Sequence, residues 1–472
     1  MVKLPLKALF CVSCAVIASA GRVYAGGLER GGYNIDLLFN PDRFATEATT
    51  IYVMPNRKLN NVKDSSPWDG PVGGGRTDGV KESEAYWVPR IGLKVGITDS
   101  LDCLLDYSQP WGAHTNPGRN WAGANDNTET KMNSDGYSGT CSYKFDVSEK
   151  AQLRLIGGVF YQAMDGFNEQ LVAPIPTNPF GWNGIGRLIL EADGWGWRSG
   201  VAYEIPEYSF RASLVYNSEV KLDEITGTLN HKGLPPGAGG NPLAGGSWDV
   251  NGSAKLPQSV ELKMQSGIAP GWLAFGSLKW TDWNVLQDIP FYYKGVRATS
   301  LDLLYRDGWT VSAGIGHKFN DEWSGAVQIS WDRGASTTIG NQTDTWTLAG
   351  GASYTPNERV ELRFGGLIGV LTGGEVSNEI VNPATGRPYL DASYDFDDDI
   401  VSALTVSLKV KISVIQGPPR AGFFVILNPS SRRSSTPFSS RPLPASFDRK
   451  SEKRRYRPAY RSRQRHFPAC SL

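Results

Sequence analysis

The chain has 472 residues and a formal charge of +1, with 54 Gly, 15 Trp and 19 Tyr but only 5 Cys, 5 Met and 4 His. Length alone would suggest two or three soluble domains. Beyond the N-terminus, however, no apolar run approaches a spanning helix, and a mean hydropathy of −0.31 leaves open a β-barrel, in which only every second residue faces lipid. The near-zero charge conceals a split: residues 413–472 carry 13 Lys/Arg against Asp448 and Glu452, so the rest of the chain stands at about −10.

Residues 1–25 have the layout of a secretory signal peptide. Lys3 and Lys7 form a basic start, Ala8 to Ala20 is apolar and rich in small residues, and Val23-Tyr24-Ala25 offers a cleavage site. Cys11 and Cys14 leave with that segment. Residues 26–47 then supply a Gly-rich, apolar stretch that includes Gly26-Gly27-Leu28-Glu29-Arg30-Gly31-Gly32-Tyr33 and Leu37-Leu38-Phe39-Asn40-Pro41. It is suited to act as a hatch inside a greasy lumen; the alternative is a frayed leader.

Residues 48–412 repeat one unit: an alternating segment, a tight turn, a second alternating segment and a long polar loop. The predicted strands are 48–58, 84–98, 101–109, 134–145, 151–163, 187–204, 209–219, 257–267, 272–284, 299–318, 323–332, 343–355, 360–372 and 394–412. Their even number is what an outer-membrane barrel requires, as are short turns on one side and long loops on the other. The predicted long loops include 110–133, 164–186, 220–256 and 285–298. Trp323 and Trp331, Trp272 and Trp280, and Trp346 and Tyr354 each lie eight apart on one strand face. At roughly 3.3 Å per residue and a tilt near 40° this spans about 20 Å, close to the apolar band between two aromatic girdles. The fold expected is all-β: a fourteen-stranded antiparallel transmembrane β-barrel with a short N-terminal hatch, in the outer membrane of a Gram-negative bacterium.

In order along the chain, the hatch with Phe39-Asn40-Pro41, Asp106-Tyr107-Ser108-Gln109-Pro110-Trp111-Gly112, Ser266-Gly267-Ile268-Ala269-Pro270-Gly271-Trp272, Lys279-Trp280-Thr281-Asp282-Trp283, Tyr305-Arg306-Asp307-Gly308-Trp309-Thr310, Gly314-Ile315-Gly316-His317 and the closing run Ala403 to Lys411 together resemble the FadL/TodX outer-membrane transporters of long-chain fatty acids and aromatic hydrocarbons. The resemblance spans roughly residues 26–412. It implies a monomeric barrel in outer-membrane lipid that captures a hydrophobic ligand, such as a long-chain fatty acid, among its outer loops and passes it through a hatch-gated lumen. The hatch is shorter than is usual for that family. A water-filled general porin is the alternative, although the polar strand faces are mainly Ser, Thr, Gly and Ala rather than clustered charge.

A fatty acid needs apolar lining and a cation for its carboxylate, since a buried unpaired charge is costly. Parity turns Arg90, Lys94, Arg154, Arg211, Lys279, Arg363 and Lys409 inward. Lys279, Arg90 and Arg154 are the candidate ligand cations, the competing reading being that lumenal cations pair with Asp102, Asp106 and Glu361. Trp111, Trp121, Phe167, Phe180 and Trp182 in the outer loops are candidates for the first apolar contact, or else pack the loops together. Cys103 and Cys141 fall on neighbouring strands at similar height, where a disulfide and two free thiols facing lipid are both open. No Ser–His pair, metal-ligand cluster, cofactor motif or nucleic-acid patch stands out, so neither an enzyme nor a cofactor is expected. The tail after Ile412 is expected to be disordered. It reads either as a basic periplasmic arm or as the product of a frameshift that replaced the usual aromatic end.

Overall fold

The computed structural model describes residues 26–65, 71, 74–172, 184–237 and 242–412. The signal-peptide reading, the basic tail, Phe180 and Trp182 therefore lie outside the described residues. Fourteen strands form the wall: β1 (Phe44–Pro55), β2 (Tyr86–Gly96), β3 (Leu101–Ser108), β4 (Glu129–Asp146), β5 (Gln152–Leu171), β6 (Ile185–Ile205), β7 (Phe210–Asn217), β8 (Ser259–Ala269), β9 (Trp272–Thr281), β10 (Gly308–Lys318), β11 (Trp323–Asp332), β12 (Thr345–Asn357), β13 (Val360–Leu371) and β14 (Asp399–Ile412). Each pairs antiparallel with its neighbours. β14 closes on β1 in unbroken register, from Phe44 opposite Ile412 to Pro55 opposite Val401. Closure leaves the wall itself without an open strand edge among the described residues.

The wall is built by side-chain alternation. On β14, Leu404, Val406 and Leu408 are exposed to the lipid side while Thr405, Ser407 and Lys409 are buried in the lumen. The aromatic girdles pair across strands: Trp323 stacks on Tyr354 at 4.7 Å, and Trp331 meets Trp346 at 6.3 Å. At the outer rim the indole N–H groups of Trp280 and Trp331 donate to Asp307 and Asp344 at 3.1 and 3.0 Å. This is the interfacial behaviour of a ring with one wet end.

Several predicted boundaries are corrected. β1 begins at Phe44 rather than residue 48, because its pairing with both β14 and β2 starts there; inward Ala45 beside inward Glu47 blurs the alternation. The predicted loop 220–256 contains a hairpin, Val220–Asn230 with Ser247–Leu256, and a second hairpin joins Asp288–Tyr293 to Val296–Asp302. The predicted strand 299–318 is accordingly Gly308–Lys318, its first residues belonging to that hairpin. Residues 394–396 leave the predicted last strand: they belong to a separate strand, Ala392–Phe396, that pairs with the Lys58–Asp64 strand. These elements stand above the membrane, where no lipid enforces strict alternation.

Cys103 and Cys141 are directly opposite in the β3–β4 register and form a disulfide. It closes a loop with a sequence separation of 38, so its loss is expected to cost on the order of 2–4 kcal/mol. Mass spectrometry of an alkylated, unreduced digest should recover the two peptides joined. Free, alkylated thiols at both positions would refute the bond.

Candidate functional site: a lumen filled by the N-terminal segment

Residues 26–43 run through the barrel along its height. At the outer end Gly26 approaches Asp332 so closely that a Cβ would lie 2.7 Å from its carboxylate oxygen. The next residues zip onto the chain that follows β3. Arg30 N–H donates to Pro110 C=O at 2.9 Å, and Gly112 N–H to Leu28 C=O at 2.8 Å. At the periplasmic end the 3-10 turn Asp36–Phe39 buries Leu37, Leu38 and Phe39 against Leu104, Ile156, Ala202 and Val215 of the wall. Aromatic and apolar residues separated by glycines let this chain fit where a bulkier one would not. Gly32 has φ +55°, and a Cβ there would run into the Glu29 carboxylate. Its lack of a side chain is what allows Glu29 to turn toward the wall.

Ion pairs tie the segment to the wall. Glu29, 5% exposed, forms a buried pair with Lys279 on β9. Asp36 meets Lys263 on β8 at 3.2 Å. The guanidinium of Arg30 lies over the Tyr86 ring at 4.3 Å. Above the turn, rings form a column: Tyr305 to Trp283 at 6.0 Å, Trp283 to Trp111 at 5.4 Å and Trp111 to Tyr33 at 5.7 Å meet edge-on, and Tyr33 meets Phe160 at 4.8 Å with its ring tilted. Edge-to-face contacts of this kind add to what burial already contributes.

The β3–β4 wall is interrupted beside this column. Pairing stops at Ser108 opposite Gly136 and resumes at Ala113 opposite Met132. The residues between turn to meet the segment. The Ser134 hydroxyl fills the gap, accepting from Trp111 N–H at 2.9 Å and donating to Trp111 C=O at 2.7 Å.

The candidate cations are engaged. Arg90 donates to Asp106 at 2.9 Å. Arg154 reaches Asp102 at 2.9 Å and Glu204 at 3.0 Å, and Lys94 shares Asp102 at 2.7 Å. Arg363 and Lys409 share Glu361 at 2.7 and 3.0 Å, and Arg211 lies over the Phe39 ring at 4.3 Å. Among the candidate aromatics, Trp111 stands in the ring column and is fully buried. Trp121 is buried in a separate roof with Leu59, Val80 and Phe396. Phe167 belongs to β5, not to a loop. It falls on the outward parity of that strand, with Arg187 over its ring at 3.6 Å. The structure thus brings Trp111 and Lys279 together on the N-terminal segment and sets Trp121 and Phe167 apart from it.

The parity reading missed Arg198. Its guanidinium is 4% exposed and bonds to Asn217 Oδ1 at 2.7 Å and Thr140 Oγ1 at 3.0 Å. The rings of Tyr33 and Phe160 flank it at 5.2 and 5.6 Å. Even positions of β6 face the lumen, so the signal was present; the surrounding Gly194-Trp195-Gly196-Trp197 draws attention to the girdle instead.

Two loops and the last connection roof the mouth. Arg57 donates to Asp397 C=O, Thr343 Oγ1 and Thr372 C=O at 3.0, 3.0 and 3.2 Å, which pins three connections together. The Asp126 carboxylate accepts from the N–H groups of Asp391 and Ala392 at 2.7 and 2.9 Å. Burial nevertheless pushes it up to about 7. Beneath the roof, the cavities beside the segment are about 50 Å³ and about 10 Å³. The larger holds a few waters at most, whereas ligand sites for drug-sized molecules measure roughly 300–1,000 Å³. Neither of these two cavities has room for a long-chain lipid while the segment is in place.

Short turns on one side, girdles at two heights and a lumen filled by the chain's own N-terminal segment define a plugged outer-membrane transport barrel. The family described as outer membrane protein transport protein (OMPP1/FadL/TodX) matches residues 16–367, and the chain belongs to that family. It is 24% identical over 372 residues to the long-chain fatty acid transport protein of Salmonella typhi, covering 72% of this chain and 80% of that one. Its identity to the protein of that name from Escherichia coli K12 is also 24%, covering 72% and 81%. Among solved structures, a Pseudomonas aeruginosa FadL homologue superposes with a TM-score of 0.64 at 20% identity, covering 84% of this chain and 98% of that one. The Pseudomonas putida toluene transporter TodX gives 0.54 at 14%, covering 84% and 97%. The chain is a Gram-negative outer-membrane transport protein, and members of its family are transporters or channels rather than enzymes.

Proposed function

We propose that the protein takes up hydrophobic compounds, long-chain fatty acids foremost, by capture at the outer mouth and passage through a lumen gated by residues 26–43. The observation that carries this reading is the ring column Tyr305–Trp283–Trp111–Tyr33–Phe160, which runs through the lumen where a general porin would hold water and charge. An alkyl chain replacing the segment would meet rings and aliphatic groups there, while the ion pairs made within the wall, such as Lys94–Asp102 and Arg154–Asp102, stay matched and only those to the segment part. In this reading the protein works as a monomer in outer-membrane lipid. Lys279 is a latch: it holds Glu29 at rest and is uncovered only when the segment leaves. The sequence relatives named as fatty acid transporters favour the acid over the aromatic hydrocarbon; the TodX likeness is one of fold alone. Lipid extraction and mass spectrometry of the purified protein is the test. Co-purified fatty acid is the expected result, and a ligand-free barrel that conducts ions steadily would favour the porin.

A further inference from the structure

The Cys103–Cys141 disulfide lies on the face of the wall that lipid covers. Along β3 and β4, Asp102, Leu104, Thr140 and Ser142 are buried in the lumen, while Leu105, Tyr137 and Tyr143, which share the parity of the cysteines, are exposed. Cys141 is itself exposed and Cys103 partly so. The rings of β4 give the height. Tyr137 and Phe145 are eight residues apart, the interval that separates the two girdles on other strands, and Cys141 is midway between them. Tyr137 meets Tyr107 at 5.4 Å at the outer level, and Phe145 meets Tyr143 at 4.7 Å at the periplasmic level. At roughly 3.3 Å per residue and a tilt near 40°, the bond lies about 10 Å from either girdle, near the middle of the apolar band. On the β5 side the residue opposite Cys141 is Gly157, where even a Cβ would meet nothing within 4 Å. That side of the bond is left to acyl chains.

We infer that this bond is made before the barrel enters the membrane and is then sealed by hydrocarbon, so that the chain arrives at the membrane already oxidised. A disulfide is made and broken by a thiolate attacking a disulfide sulfur. At mid-bilayer that thiolate would be an unpaired charge in hydrocarbon, and a water-borne oxidant or reductant does not reach it. The reaction therefore belongs to the unassembled chain in the oxidising periplasm, and the class of reactant it needs is a dithiol oxidant carrying its own disulfide. One cysteine thiolate attacks that disulfide and releases one of its sulfurs; the second cysteine thiolate displaces the other sulfur from the mixed disulfide. The cysteines are oxidised, and the oxidant leaves as a dithiol that takes up their two protons. What the early bond contributes is register. β3 and β4 are joined through residues 109–128 rather than by a tight turn, so no turn chemistry aligns them, and a slip of one residue would exchange the lipid and lumenal faces. A bond between directly opposite residues fixes the alignment before lipid enforces it.

The test uses the full-length chain, unfolded in urea and assembled into phosphatidylcholine vesicles. Heat-modifiable gel mobility reads assembly, and mass spectrometry of alkylated peptides reads the bond. Chain that is reduced, assembled and then given oxidised glutathione is expected to form the bond at least tenfold more slowly than the same chain in urea. This arm separates a sealed bond from a merely stable one, since two accessible thiols held directly opposite each other would oxidise readily. Reduced glutathione is expected to break the bond of the oxidised, assembled barrel at least tenfold more slowly than that of the chain in urea. The oxidised chain should also assemble several-fold faster than the reduced one, and a reduced chain that does not assemble at all supports the same order of events. Exchange in the assembled barrel within tenfold of the rate in urea, in either direction, overturns the inference. Free thiols at both positions in protein taken from the outer membrane overturn it too, and equal assembly rates of the oxidised and reduced chains remove the bond's part in setting register.

Discussion

Deleting residues 26–40 is expected to leave a folded, heat-modifiable barrel whose single-channel conductance in planar bilayers is several-fold that of the parent. The wall does not depend on the segment for closure, since β1 pairs with β14 and β2 from Phe44 onward. What the segment supplies is filling: Leu37, Leu38 and Phe39 below, Tyr33 in the middle, Glu29 above. Lys279→Ala should reproduce part of the effect. Removing one partner of a buried pair leaves the other charge uncompensated, at a cost of about 3–5 kcal/mol. Glu29 can escape that cost by swinging to water with its neighbours. Exchanging the charges, Glu29→Lys with Lys279→Glu, should return conductance toward the parent value. Unchanged conductance in the deletion would mean that the segment does not obstruct the lumen in the membrane.

Where lipid or tight turns constrain the chain, the sequence is informative. Lipid forces every second residue of a strand to be apolar, so Leu404, Val406 and Leu408 announce their own strand. The eight-residue Trp spacings mark where the membrane begins and ends. The hairpins within 220–256 and 285–302 lie outside that constraint and pack partly against each other, so their strands read as loop. Lys279 illustrates a second limit. Parity turns it inward, but its partner Glu29 is 250 residues away on a chain whose path through the lumen no local pattern specifies. Trp121, an aromatic residue in a long outer loop, reads equally as a ligand contact or as loop packing, and no local pattern places it in the roof it forms with Leu59, Val80 and Phe396. Phe167 needed no structure: its odd position continues the outward face of Val159, and extending β5 a turn beyond the girdle would have placed it.

The second large effect is expected at the seam. Glu47 on β1, Glu361 and Arg363 on β13, and Lys409 on β14 form a cluster in which charges balance. Arg363 meets Glu361 at 2.7 Å and Glu47 at 3.0 Å, and Lys409 meets Glu361 at 3.0 Å. Ser353 of β12 adds a hydrogen bond to Glu361 at 3.1 Å. Arg363 is 1% exposed, so solvent cannot stand in for it. Arg363→Ala leaves one buried and one partly buried carboxylate facing one ammonium, at a cost of about 3–5 kcal/mol. The penalty falls on the three strands that must come together last, because the barrel closes by pairing β14 with β1. The folded band should therefore be lost at a markedly lower temperature or urea concentration than in the parent, with slower assembly into vesicles. Arg363→Lys should rescue little, since one ammonium cannot span both carboxylates as the guanidinium fork does. Lys150→Ala, which removes an exposed pair with Glu207 at 2.9 Å, is the control and should change nothing measurable. If Arg363→Ala assembles and resists urea as the parent does, the backbone ladder alone closes the barrel and the cluster is a lining of the lumen, not a fastening of the seam.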